Sequence, residues 1–356
     1  MRPLCAEINL SHLRHNYQLL KKCHGNKLLA VLKANAYGHG AVECAKALTD
    51  LADGFAVSCI EEALALRKAG LRNPIVLLEG VFDADEYALV EKHNLWPVIH
   101  NTNQLESFLN YAWKKSVTVW LKMDSGMGRV GFLPQEYTEI YEKLKISPYV
   151  KNIVKITHFA RADEPQCDTT EQQIKVFDAV AQTLKGEESM ANSAAMLAFP
   201  QTCRDWGRAG LALYGISPLP DEYAINMNLK PVMTLKTQVF SVRHLKADNP
   251  IGYGATYVTE EETTSGVIAC GYADGYPRLA STGSPVFVEN QLTRVIGRVS
   301  MDMMVVDLTY VPEAKIGSEV ELWGNNININ DIAKMARTIP YELLCNVKRA
   351  KFAYVV

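Results

Sequence analysis

Short apolar runs, separated by amphipathic stretches, set the pattern of the first two-thirds of the chain. The runs at 28–33, 54–58, 74–78, 95–99, 117–123, 153–158, 189–192 and 211–215 are mostly apolar from end to end. Runs of this kind predict strands buried on both faces of a parallel sheet. Between them the spacing turns helical. Residues 59–69 place Ala63, Leu64 and Leu66 on one side and stop at Gly70, a residue suited to a helix end. Leu105, Phe108, Leu109 and Ala112 recur in the same way within 102–114, as do Ile174, Phe177, Val180, Ala181 and Leu184 within 170–185. Eight strands with intervening helices predict a (β/α)8 TIM-type barrel. The competing open, doubly wound sheet has no strand–GxGxxG–helix fingerprint here to support it.

The pattern changes near residue 229. A long β-rich stretch runs from Val232 to Leu245, and 266–270, 285–288, 292–299 and 303–308 also read as strands. Glu289-Asn290 resembles a hairpin turn, and 331–338 is the one clear helix. The expected organisation is therefore a barrel over 1–228 followed by a mainly β domain over 229–356.

Composition narrows the function classes. The chain has 356 residues, 48% apolar and 21% charged, which suits a sizeable core. A net charge of −2 gives no basic surface for nucleic acid. The segment MRPLCAEINL carries no signal-peptide pattern, and no stretch approaches the ~20 apolar residues of a membrane span. The eight cysteines are scattered without a C-x-x-C pair, so neither a disulfide framework nor a metal site is expected. The expected setting is cytoplasmic.

Candidate chemistry centres on AVLKANAYGHG, residues 30–40. Lys33 follows a buried apolar run and precedes a tight, glycine-permissive loop. A desolvated lysine there has a lowered pKa and can act as a nucleophile or Schiff-base former; the plainer alternative is a lysine snorkelling to solvent. A barrel carries its active site at the C-terminal ends of its strands. Lys122, Asp124 and Arg129 follow the fifth strand, His158 ends the sixth, and Asn192 and Ser193 follow the seventh. Arg208, Gly210 and Leu211 lie between the seventh and eighth. The Ser193 hydroxyl and the Gly210 and Leu211 N–H groups suit a phosphate cradle. A reactive lysine beside a phosphate cradle suggests pyridoxal 5′-phosphate.

AVLKANAYGHG strongly resembles the cofactor-lysine motif of the alanine racemases. The resemblance extends over nearly the whole chain through LKMDSGMGRVGF, THFA, NSAA, GRAGLALYG, IGYGATY, GYADGYPR, VSMDM and YELLC. It implies that Lys33 holds pyridoxal 5′-phosphate and works with Tyr253 as a two-base pair, Lys33 serving the D face of alanine and Tyr253 the L face. It assigns the phosphate to Tyr37, Ser193, Tyr341 and the Gly210 and Leu211 backbone, and the pyridine nitrogen to Arg208. It further implies that Arg208 and His158 form a positive, hydrogen-bonded network that helps Tyr253 ionise. Arg129 and the Met301 N–H match contacts to the substrate carboxylate, Tyr272 an entrance tyrosine, and Lys122 a lysine often carbamylated. Members often have cysteine where this chain has Ser300. The resemblance also implies a head-to-tail homodimer in which Tyr253 of one subunit faces Lys33 of the other.

Taken singly, these residues have plainer readings. Tyr253 reads as a loop aromatic, His158 as a satisfied core histidine, and Arg129 and Arg208 as surface ion-pair residues. His39 is left as structural. Alternative functions are a relative racemising serine, lysine or a broad set of amino acids, a decarboxylase of related architecture, and a cofactor-binding regulator. A decarboxylase needs no second base, so Tyr253 argues against it; the large β domain argues against the regulator.

Overall fold

The computed structural model describes residues 2–220 and 228–356. They form two compact units. One gathers the described residues within Leu13–Ala36 and Gly40–Leu229; the other gathers those within Met1–His12, Tyr37–His39 and Lys230–Val356.

The first unit is a parallel barrel. Its strands are Lys27–Val31, Gly54–Val57, Ile75–Leu77, Trp96–Ile99, Val117–Lys122, Val150–Ile156, Glu188–Ser189 and Trp206–Ala209. From the first strand to the seventh, each pairs in parallel with the next along the chain, and the eighth pairs with the first, Lys27 opposite Trp206. The seventh and eighth meet through single bonds, such as the Arg208 N–H to the Ala191 carbonyl at 3.0 Å. Gly54–Val57, Ile75–Leu77 and Trp206–Ala209 are buried at every residue, as strands covered on both faces must be.

The last strand corrects the expectation. The apolar run 211–215 was the predicted strand, but Leu211–Tyr214 is a 3₁₀ turn and Trp206–Ala209 is the strand. Gly207 and Arg208 disguise that strand. Gly207 is needed because a Cβ there would lie 2.7 Å from the His24 ring and 2.8 Å from Leu28, and Arg208 is a cation buried within the barrel.

The second unit is built on an eight-stranded, largely antiparallel sheet. Six strands close on themselves: Met233–Leu245, Thr263–Ile268, Met304–Asp307, Gln291–Ile296, Pro285–Val288 and Glu319–Trp323. Met233–Leu245 pairs with both Glu319–Trp323 and Thr263–Ile268, and an irregularity between Val239 and Ser241 accommodates the change of partner. Glu289 and Asn290 have φ of 46° and 62°, as a two-residue primed hairpin turn requires. Two further strands extend the sheet, Cys5–Asn9 beside Met233–Leu245 and Lys351–Val355 beside Cys5–Asn9. Cys5–Asn9 was not expected in the β unit: five residues of alternating burial carry no record of a partner more than two hundred positions away. A second helix, Pro340–Cys345, follows Ile329–Ala336. Among the described residues no helix is long and apolar enough to cross a membrane.

Candidate active site

Lys33 stands two residues beyond the first barrel strand, where the chain makes an unusual turn. Ala34, Asn35, Ala36 and Tyr37 all have positive φ, from 48° to 55°. A left-handed conformation costs residues with a Cβ about 1–2 kcal/mol each, and such strain gathers at functional sites. Local bonds hold the barrel's share of the turn. The Ala36 N–H donates to the Leu32 carbonyl at 2.8 Å, the Ala34 N–H to the Glu62 carboxylate at 2.7 Å, and the Ala41 N–H to Asn35 Oδ1 at 2.8 Å.

Four cations gather at the C-terminal ends of the barrel strands. Lys122 is pushed down to about 8, chiefly by burial and then by Arg208, Arg129 and Lys33, with Asp124 opposing. Asp124 itself stays below the usual carboxylate range. Burial raises it, but N–H donors outweigh burial, those of Gly126, Met127 and Gly128 at 2.8–3.1 Å. His158 is held well below its ordinary value by burial, then by Arg208, Lys122, Arg129 and Lys33. The imidazole is therefore neutral, and positive charge resides on the lysines and arginines around it.

Arg208 is buried and makes no ion pair among the described residues. Its Nη1 donates to the Ser189 carbonyl at 3.0 Å and hydroxyl at 2.6 Å. Its Nη2 donates to the Thr157 and Met190 carbonyls at 2.7 and 3.1 Å, and lies 3.3 Å from His158 Nδ1. Burial lowers its pKa to about 10, which still leaves it protonated near neutrality. These carbonyl anchors were invisible in the sequence, because a backbone acceptor leaves no residue signature.

Ser193 opens the short helix Ser193–Ala198, capped by Asn192, whose side chain accepts from the Ala195 N–H at 2.9 Å. The Ser193 hydroxyl accepts from the Gly210 N–H at 2.8 Å and the Ala212 N–H at 3.3 Å. Gly210, Leu211 and Ala212 are thus drawn to Ser193, and its own O–H is left to donate elsewhere. Ala212 was not among the expected residues.

The remaining candidates belong to the β unit. Tyr37 is buried beside Tyr341, their rings edge to face at 5.6 Å. Burial raises the Tyr37 phenol, with Tyr341 adding to the effect. Gly38, at φ 79°, lets the chain pass the second helix: a Cβ there would lie 2.2 Å from the Leu344 carbonyl oxygen. Tyr253 sits 68% exposed on its own turn, between Gly252 and Gly254, both with positive φ. Tyr272 and Met301 are exposed on two loops tied together by the Tyr272 N–H to the Ser300 carbonyl, 3.0 Å, and the Ala273 N–H to the Met301 carbonyl, 3.0 Å. Among the described residues no three His, Cys, Asp or Glu side chains form a metal-binding group.

Comparison with known proteins gives one answer for both units. Residues 8–218 match the profile "Alanine racemase, N-terminal domain" and residues 232–354 match "Alanine racemase, C-terminal domain". The chain is 59% identical to an alanine racemase of Neisseria gonorrhoeae over the full length of both. It is 52% identical to the catabolic alanine racemase of Pseudomonas putida over 100% of this chain and 99% of that one. The crystal structure of the biosynthetic alanine racemase from Pseudomonas aeruginosa superposes with a TM-score of 0.97 at 45% identity, covering both chains completely. A barrel joined to a mainly β domain, matched end to end in sequence and structure, places the chain in the alanine racemase family, whose members are isomerases.

Proposed function

We propose that this protein interconverts L-alanine and D-alanine using pyridoxal 5′-phosphate, as a cytoplasmic homodimer. The observation that carries the reading is the barrel's cation cluster: Arg208, Arg129 and Lys33 all press on the buried Lys122 amine, these three and Lys122 all press on the His158 ring, and Asp124 is the carboxylate that opposes them at Lys122. A cluster of cations facing so little negative charge calls for an anion. The phosphate and phenolic oxygens of the cofactor suit that donor set.

Lys33 is assigned as its covalent anchor. Tyr37, Ser193, Tyr341 and the backbone of Gly210 and Leu211 are assigned to its phosphate, and Arg208 and His158 to its ring side. When bound, the cofactor's conjugated ring stabilises the electron pair left as the α-proton departs. Racemisation then requires proton transfer at two faces of one carbon, and a single group cannot reach both readily. Lys33 Nζ carries the proton on the D face and Tyr253 Oη on the L face. A cationic neighbour eases proton loss from a hydroxyl, and Arg208, which keeps its charge near neutrality, is assigned that part. Arg129 and the Met301 N–H hold the substrate carboxylate, and Tyr272 narrows the approach. Tyr253 belongs to the β unit and is exposed, which supports its delivery to Lys33 of a second subunit. D-alanine made here supplies peptidoglycan of the cell wall; the reverse direction serves alanine catabolism.

The test is chiral analysis of a panel of amino acids after incubation with the cofactor-loaded protein. Alanine racemises fastest if the reading is right. L-alanine left optically unchanged while serine, lysine or another amino acid racemises contradicts it.

A further inference from the structure

Behind Tyr272 and Met301 lies a carboxylate that none of the proposed roles uses. The Asp274 side chain is fully buried, and Arg2 and Arg349 close on it. Arg2 forms a two-pronged pair with it, one bond being 2.6 Å, and Arg349 Nε stands at 3.0 Å. The Gly271 N–H donates to its second oxygen at 2.9 Å. The same two arginines reach the residue after Met301: Arg2 donates to the Asp302 carbonyl at 2.6 Å, and Arg349 to the Asp302 carboxylate at 2.6 Å.

This ring controls one peptide plane. Asp274 sets the Gly271–Tyr272 turn, and the Tyr272 N–H in turn fixes the Ser300 carbonyl. That carbonyl shares its planar peptide with the Met301 N–H, and in a trans peptide the two point opposite ways. Gly271 leaves no slack, since a Cβ on it would lie 2.4 Å from both the Ser300 and Met301 carbonyl oxygens. The Met301 N–H itself donates to no acceptor among the described residues. We propose that Asp274, held by Arg2 and Arg349, is a positioning residue that aims the Met301 N–H and thereby sets affinity for the substrate carboxylate. This rests on the reading that Met301 receives that carboxylate.

The test uses the cofactor-loaded enzyme with L-alanine. Asp274→Asn and the milder Arg349→Ala should raise KM about tenfold, the size of one hydrogen bond to a charged group, with kcat little changed. Hydrogen exchange of the 299–303 amides should quicken, and Arg349→Lys should recover part of the lost affinity. A lowered melting temperature with unchanged KM, or Arg349→Lys no better than Arg349→Ala, overturns the proposal. Met301→Pro, which deletes the N–H, separates the two layers. Unchanged KM in that variant refutes the carboxylate reading and the proposal with it. Raised KM there, with Asp274→Asn and Arg349→Ala unaffected, refutes the positioning role alone. Should Asp274→Asn fail to fold, the Arg349 variants decide.

Discussion

The Arg208 guanidinium stands 3.3 Å from His158 Nδ1, and this contact sets the imidazole's chemistry. A guanidinium only donates, so Nδ1 must accept, and the ring proton belongs on Nε2. Burial and the surrounding cations keep the ring neutral. With the folded value below the ordinary 6.5, the unfolded chain binds a proton that the folded one refuses. Stability is therefore complete above about pH 6.5 and falls as the pH drops below it. Nitrogen NMR of the imidazole should show the neutral Nε2–H tautomer at pH 7, and an imidazolium signal there would refute the assignment. The acid slope of the melting curve should flatten in His158→Asn.

Lys122 makes a prediction of the same sign on the alkaline side. Its folded value is about 8 against an ordinary 10.5. Below pH 8 the buried ammonium opposes folding fully. Between the two values the unfolded chain keeps a proton the folded chain has shed, so stability climbs with pH. In cofactor-free, bicarbonate-free protein, Lys122→Met should raise stability at pH 7 by on the order of 2 kcal/mol after solvent screening. The gain should vanish near pH 10.5, as read from denaturant melts. A neutral amine is also the form that bicarbonate-derived carbon dioxide can carbamylate, so labelled bicarbonate should mark this lysine more strongly at pH 9 than at pH 7.

Ser193→Ala removes the acceptor shared by the Gly210 and Ala212 N–H groups. Leaving buried donors unpaired costs about 1–3 kcal/mol. Melting should drop accordingly, and the cofactor's dissociation constant should rise by about tenfold or more, measured by equilibrium dialysis. Ser193→Thr, which keeps the hydroxyl, should restore most of the affinity.

Shared sites predict complementation. Neither Lys33→Ala nor Tyr253→Ala homodimers should racemise alanine, whereas mixing them should recover activity as subunits exchange, because one intact site forms per mixed dimer. No recovery with exchange verified by mass would refute the sharing.

The barrel was legible in the sequence because a parallel sheet covered on both faces writes itself as apolar runs, and seven of its eight strands fall within or beside such runs. The eighth was misplaced by the same rule. LALYG has the composition of a buried strand, but Gly210 turns the chain so that its backbone serves Ser193. The strand that does close the barrel carries a buried arginine, which apolar patterning rejects. Lys33 was visible as a lysine after a buried run, yet nothing foretold that four residues beyond it lie left-handed. Three of those four, Ala34, Ala36 and Tyr37, are not residues that favour such a turn. The Arg2–Asp274–Arg349 cluster was hidden for a different reason: Arg2 lies 272 residues from Asp274, Arg349 is far along the chain from both, and the three meet only in the fold.

The central claim is alanine racemisation through two proton carriers on opposite faces, and isotope exchange tests it most directly. L-alanine is incubated with the cofactor-loaded protein in deuterated water, and the deuterium content and chirality of both enantiomers are followed from the earliest times. The account predicts D-alanine carrying deuterium at its α-carbon, with no carbon dioxide released. In Tyr253→Phe, removal of the α-proton from L-alanine should be lost selectively, while exchange on D-alanine through Lys33 persists. D-alanine that forms without solvent deuterium, or equal loss of exchange from both enantiomers in Tyr253→Phe, would contradict it.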